Sequence, residues 1–229
     1  MAVILVRHGR STANTAAVLA GRTPGVGLDE TGLRQARELP ERLGERCADV
    51  VAVARSPLQR CAQTVAPLVA GLAGVPEVEV DDLIEVDYGQ WTNRPLAELA
   101  KEPLWKTVQR QPSAAVFPGG EGLSAMATRA VRAVRELDAR YGGSDGTRLW
   151  VACTHGDIIK AVIADAMGLH LDGFQRIVVE PASMSVVRYH PSQPVVHAVN
   201  NTARLSLPKN GDELAGLAVG GSTGRTGES

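Results

Sequence analysis

The chain is short of cysteine, lysine, aromatic side chains and net charge, and each shortage removes a class of protein. Its three cysteines, Cys47, Cys61 and Cys153, are odd in number and lack C-x-x-C or Cys/His spacing, so neither a disulfide nor a zinc site is expected. They read as free thiols in a reducing compartment. A net charge of −1, with no basic stretch interleaved with the 3% of aromatic residues, gives no footprint for nucleic acid or an anionic membrane. No apolar run approaches the roughly 20 residues that span a bilayer. The opening "MAVILVRHG" carries no basic segment ahead of its apolar residues, so a cytoplasmic protein is the expectation. Lysine supplies only four of the 24 basic residues. With arginine used so freely, an individual Arg needs positional evidence before it is given a role.

What is present suits one sizeable α/β domain: 229 residues, 44% apolar and 21% charged. "AVILV" at residues 2–6 is apolar without alternation, the mark of a strand buried on both faces, and "DVVAVARS" and "RLWVACTH" have the same form. Helical patterns lie between them. One spans Thr31 to Leu43 and opens with "DETG", one spans Pro57 to Ala70, and a long amphipathic one covers residues 122–141 with Met126, Ala130, Val134 and Leu137 on one face. "DIIKAVIADAMG" reads as another helix, stopped by Gly168, and "ASMSVVRYH" and "PVVHAVN" as two late strands joined across "PSQP". Strands alternating with helices predict a three-layer α/β/α sandwich with a mostly parallel central sheet. The domain is expected over residues 1–207. Residues 208–229, rich in Gly and small polar residues, read as a flexible tail.

Three of the predicted strands end in residues foreign to a core: Arg7 and His8, then Arg55 and Ser56 with Arg60 one helical turn on, then Thr154 and His155. In open α/β sheets ligands bind beyond the carboxyl ends of the strands, so these endings converge on one crevice. Arginine forks and helix N-termini in the same place suit a phosphate group.

"RHGRSTAN" resembles the R-H-G-x-[ST]-x-x-N signature of the histidine phosphatase superfamily, the phosphoglycerate mutase-like fold, through Arg7, His8, Gly9, Ser11 and Asn14. Further segments match in order: "LDETGLRQA" through Leu28, Gly32, Gln35 and Ala36, "RSPLQRCAQT" through Ser56, Leu58, Arg60 and Thr64, "LIEVDYGQW" through Glu85, Gly89 and Trp91, then "PGGEG" and "CTHGDIIKAVI". The resemblance implies a phosphomonoesterase of the histidine acid phosphatase type, with neither cofactor nor metal. His8 would attack phosphorus and form a phosphohistidine. Arg7, Arg60 and His155 would stabilise the phosphoryl oxygens, with Asn14 as a neutral donor. Glu85 would protonate the leaving alkoxide and then activate water, with Asp87 as its nearby competitor.

Where the chain departs from the pattern, substrate choice is affected more than reaction type. Arg10 adds charge at the expected mouth of the site, "WTN" follows Trp91, and "GRTPG" places Arg22 and Thr23 where relatives hold substrate-contacting residues. Ser11 joins Arg10, Arg22 and Thr23 as candidates for substrate contact. The runner-up activity is a cofactor-dependent phosphoglycerate mutase, which would return the phosphoryl group to a second hydroxyl. The compact segment from Glu85 to "PGGE" favours the hydrolase, because an open site admits water. A non-catalytic phospholigand-binding member would be expected to lose the nucleophile, the second His or the phosphate Arg, and none is lost.

The expected partner is a small phosphomonoester, with no nucleic acid or membrane. Sugar phosphates, phosphoglycerates, a nucleotide-loop phosphate of cobalamin synthesis and a broad set of monoesters remain open as substrates, and a homodimer remains open as the assembly. Other residues read as structural. His170, His190 and His197 are ordinary polar residues, Glu121 caps or starts the long helix, and Cys153 is a core thiol. Trp91 lines the pocket, while Trp105 and Trp150 pack.

Overall fold

A computed structural model describes residues 2–142, 148–190, 192–203 and 205. The tail expected at 208–229 lies outside the described residues. In chain order the main elements are β1 Ala2–Arg7, α1 Thr12–Thr15, α2 Glu30–Leu43, β2 Val50–Arg55, α3 Gln59–Gly71, β3 Glu77–Glu79, α4 Leu96–Leu99, α5 Pro103–Arg110, α6 Leu123–Tyr141, β4 Leu149–Thr154, α7 Gly156–Ala166, β5 Met184–Tyr189 and β6 Pro194–Asn201.

The strands form one six-stranded sheet in the order β3-β2-β4-β1-β5-β6. β1, β2, β3 and β4 pair in parallel, and β5 runs antiparallel to both its neighbours. The non-alternating runs follow from cover on both faces. Ala2, Ile4 and Val6 of β1 pack with Leu39 and Leu43 of α2 and Val65 and Leu68 of α3. The intervening Val3 and Leu5 pack with Met126 and Val134 of α6 and Ile158 and Val162 of α7. Three layers result, as the alternation of elements implied. Among the described residues no helix is long and apolar enough to cross a membrane.

Two local features depart from the sequence reading. α3 starts at Gln59 rather than Pro57, because the Ser56 hydroxyl accepts from Leu58 N–H at 3.3 Å and holds a bend ahead of the helix. β3 is an unanticipated three-residue edge strand, too short for a periodic signal, whose Glu77 and Glu79 carboxylates pair with Arg55. That engagement removes Arg55 from the set of strand-end residues expected to face phosphate.

The register brings the chemistry to one level. Arg7 lies opposite Thr154 and Arg55 opposite Cys153, so the residues following β1, β2 and β4 emerge side by side. The loop after β1 is pressed onto the start of α2: a Cβ on Gly32 would stand 2.0 Å from the Arg10 carbonyl oxygen. Only glycine permits that approach. Residues 85–121, including α4 and α5, cross above the strand ends and form the upper wall of the resulting cavity.

Candidate active site

His8 and His155 lie at the floor of the crevice with ring centroids 5.2 Å apart, and both are buried. Their tautomers follow from their partners. His8 Nδ1–H donates to the Gly9 carbonyl at 2.8 Å, while Nε2 accepts from Arg60 Nε at 3.2 Å. His155 Nδ1 accepts from Arg60 Nη2 at 3.2 Å, so its Nε2–H donates to Ser56 Oγ at 2.8 Å. Burial and the adjacent guanidinium groups of Arg60 and Arg7 hold the His8 pKa well below 6.5, and burial with Arg60, His8 and Arg7 does the same to His155. His8 is therefore a neutral imidazole with its basic nitrogen turned toward the cavity.

Arg60 is the hub of this floor. It touches both imidazoles, and its Nη2 also donates to the Gly21 carbonyl at 2.9 Å. Thr64, one turn along α3, accepts from Gly9 N–H at 2.9 Å and donates to the Arg60 carbonyl at 2.6 Å, tying helix to loop. Arg7 donates from Nη1 to the Val179 carbonyl at 2.6 Å. Among the described residues two donors here are buried without a partner, Arg7 Nε and Arg60 Nη1. An unmet charged donor is costly in a folded interior, and an anionic ligand with several oxygens would meet both. Gly156, the first residue of α7, also lines the cavity and brings that helix N-terminus beside Arg7.

Ser11 caps α1 through its hydroxyl, and the Asn14 side-chain oxygen accepts from Ser11 N–H at 3.0 Å and Ser11 Oγ at 2.9 Å. Both residues line the cavity, and with its oxygen so engaged the Asn14 side chain has only its amide Nδ2 left as a donor.

Glu85 faces His155 from the upper wall, with Oε2 3.9 Å from Nδ1 and a side chain only 12% exposed. Burial and the nearby Asp157 carboxylate raise its pKa from the ordinary 4.5 to about 7, against the opposing pull of Arg60 and Arg7. Asp87 points the other way: its carboxylate accepts from Gly89 N–H, is 43% exposed and does not line the cavity. Only Glu85 of the two can reach a group bound between Arg7 and Arg60.

Other sequence candidates stand elsewhere. Arg10 pairs with Asp29 at 2.6 Å and donates to Thr31, in a separate surface depression. Thr23 shares a hydrogen bond with Asn93 at an exposed position. Arg22 donates from Nε to the Glu85 carbonyl at 2.8 Å and from Nη2 to Glu121 at 2.8 Å, so it braces the Glu85 loop and does not line the cavity.

Glu121 does not cap α6, whose N-cap is Gly122. Its Oε1 accepts from Arg22, from Arg129 Nη2 at 2.7 Å and from Asp87 N–H at 2.9 Å. Arg129 also donates to the Ile84 carbonyl at 2.8 Å and the Glu85 carbonyl at 3.2 Å. Sequence reasoning missed this clamp, since Arg129 sits on an ordinary-looking polar face of α6. Trp105 is likewise a correction: it stacks on Trp91 with ring centroids 6.1 Å apart and lines the cavity. Trp150 packs in the core and donates to Asp138. Cys153 is buried, and burial pushes its thiol well above 9.0, away from the thiolate a nucleophile needs.

The profile of the histidine phosphatase superfamily (branch 1) matches residues 3–202. The chain is 30% identical over 205 residues to the bifunctional protein Rv2228c of Mycobacterium tuberculosis, covering 89% of this chain but 54% of that protein. It thus spans about half the length of that curated relative. It is 27% identical to phosphoserine phosphatase 1 of Hydrogenobacter thermophilus, with 89% and 93% of the two chains covered. Against the probable phosphoglycerate mutase GpmB of Yersinia pestis the figures are 28%, 90% and 95%. Among solved structures, the mycobacterial glucosyl-3-phosphoglycerate phosphatase Rv2419c in complex with VO3 superposes with a TM-score of 0.78 at 24% identity, covering 87% of this chain and 98% of that one.

Proposed function

The chain belongs to branch 1 of the histidine phosphatase superfamily, and on that premise we propose that it is a metal-independent phosphomonoester hydrolase working through a phosphohistidine on His8. The observation that carries this reading is a neutral His8 whose Nε2 faces a cavity beside two buried guanidinium donors without partners.

A monoester bound there takes Arg7 Nε and Arg60 Nη1 onto its phosphoryl oxygens, and Arg60 Nε turns from His8 to the same oxygens. The freed Nε2 lone pair attacks phosphorus as the ester P–O bond breaks. Protonated Glu85 delivers its proton to the departing oxygen, and the alcohol leaves. Water then attacks the phosphohistidine and gives its proton to the Glu85 carboxylate. The P–N bond breaks, inorganic phosphate leaves, and Glu85 is again protonated. The two arginines and the α7 N-terminus supply the positive charge that phosphoryl transfer requires, which is why no metal enters the scheme.

The similarity to a probable phosphoglycerate mutase keeps mutase activity as the second reading. Phosphate release from a panel of monoesters in the presence of chelator, run beside a mutase assay with 3-phosphoglycerate and its bisphosphate primer, separates the two. Release without metal, abolished in a folded His8→Ala protein, is the expected result. Isomerisation without release would make the protein a mutase, and full activity of His8→Ala would overturn the nucleophile.

A further inference from the structure

We propose that the alcohol part of the substrate is predominantly apolar, a single ring or short hydrocarbon chain, rather than a small polyanion such as phosphoserine or a phosphoglycerate. The inference rests on the hydrolase reading above and specifies what its site accepts.

The chain has only eight aromatic residues besides histidine, yet four of them, Tyr88, Trp91, Trp105 and Phe117, line this one cavity. They form a connected wall: Trp91 stacks on Trp105, and Phe117 meets both Trp91 and Tyr88 edge-on at 5.3 and 5.0 Å. Leu96 of α4 completes it and is 37% exposed at the same cavity. A large apolar side chain left open at the rim of an aromatic wall is stabilised by an apolar ligand that covers it.

Charge gives the same answer. Beyond Arg7 and Arg60, which serve the phosphoryl group, the only cation among the described residues lining the cavity is Lys160. Its ammonium is already committed, donating to Gln175 at 2.9 Å, lying 3.5 Å from the Asp157 carboxylate and sitting over the Phe174 ring. Arg10 and Arg22, the two arginines read from the sequence as candidates for substrate contact, are paired with Asp29 and Glu121 outside the cavity. A substrate carboxylate would lose its hydration beside the Asp157 carboxylate, and the one further cation there, Lys160, is already paired with that carboxylate. The cavity volume of about 330 Å³ is at the small end for ligand sites, which leaves room for a phosphoryl group and about one ring.

The test compares alkyl esters whose leaving groups need similar protonation: 2-phenylethyl phosphate, glycerol phosphate, phosphoserine and 3-phosphoglycerate. The expected kcat/KM for 2-phenylethyl phosphate exceeds each of the others by at least about tenfold. Leu96→Ser and Trp105→Ala should each shrink that ratio by about fivefold or more. In parallel, calorimetric titration of the His8→Ala protein with 2-phenylethyl phosphate and with phosphoserine ranks affinity without chemistry. Hydrolysis that favours phosphoserine or 3-phosphoglycerate overturns the substrate class and leaves the hydrolase reading standing. If no ester is hydrolysed, the hydrolase reading fails, and the affinity ranking decides the apolar preference on its own: tighter phenylethyl phosphate supports it, equal or weaker binding refutes it.

Discussion

Replacing Glu85 with glutamine keeps the shape of the side chain and removes the one proton the proposed reaction moves. Its pKa of about 7 means that about half the molecules carry the proton at pH 7 and about 1% at pH 9. The kcat/KM for an alkyl phosphate should therefore fall about tenfold per pH unit above 7. Loss of a positioned general acid costs about 10²–10⁴ in rate, equivalent to roughly 3–5 kcal/mol of barrier. In Glu85→Gln that loss should appear in full for 2-phenylethyl phosphate and should erase the alkaline limb. An aryl phosphate leaves as a stable phenolate, so its first turnover should fall by less than about tenfold. Its second step still lacks a base, so rapid mixing should show a burst of phenol equal to the enzyme concentration, followed by slow turnover.

The same substitution has a stability sign. The neutral Glu85 contributes stability that is present below pH 4.5 and lost as pH rises through about 7. Glu85→Gln should thus gain on the wild type by up to roughly 3 kcal/mol between pH 4 and pH 8. Equal loss of first turnover for alkyl and aryl esters, with an unchanged pH profile, would refute Glu85 as the acid.

Glu121→Gln weakens the charged hub on which Arg22, Arg129 and the Asp87 amide meet. The alkyl-ester kcat should drop about tenfold while the aryl burst is spared; a uniform fall for both esters would mean general loosening. Arg10→Ala should change kcat/KM for any ester by less than about threefold and stability by under about 1 kcal/mol, because its ion pair is 44% exposed on the arginine side; a larger kinetic effect would bring Arg10 back to the substrate. Gly89→Ala places a Cβ 2.2 Å from the Pro118 carbonyl at a φ of +50° and should destabilise by at least about 2 kcal/mol in urea unfolding while lowering alkyl-ester turnover. An unaffected midpoint would show that the Glu85 loop shifts freely against 118–120.

The sequence by itself determined the layered sheet and the floor of the site. Non-alternating runs in β1, β2 and β4 state that both faces are covered, and parallel strands so covered must place their following loops along one edge. His8, Arg60 and His155 were legible because each sits at or one turn beyond such a strand end, a position set by local periodicity. The upper wall was not legible in this way. Whether Glu85 or Asp87 enters the cavity depends on which way one loop is turned, and Arg22, Glu121 and Arg129, distant from one another in the chain, turn it by meeting on a shared carboxylate. With 20 arginines in the chain, no spacing rule distinguishes Arg22 as a brace from Arg60 as a phosphate ligand. Trp105, on α5, stacks on Trp91, which precedes α4 in the chain, and no short-range pattern records that meeting. Local periodicity decides which face a residue shows, whereas long-range pairing of charges and rings decides what it meets there, and that meeting exists only in the folded chain.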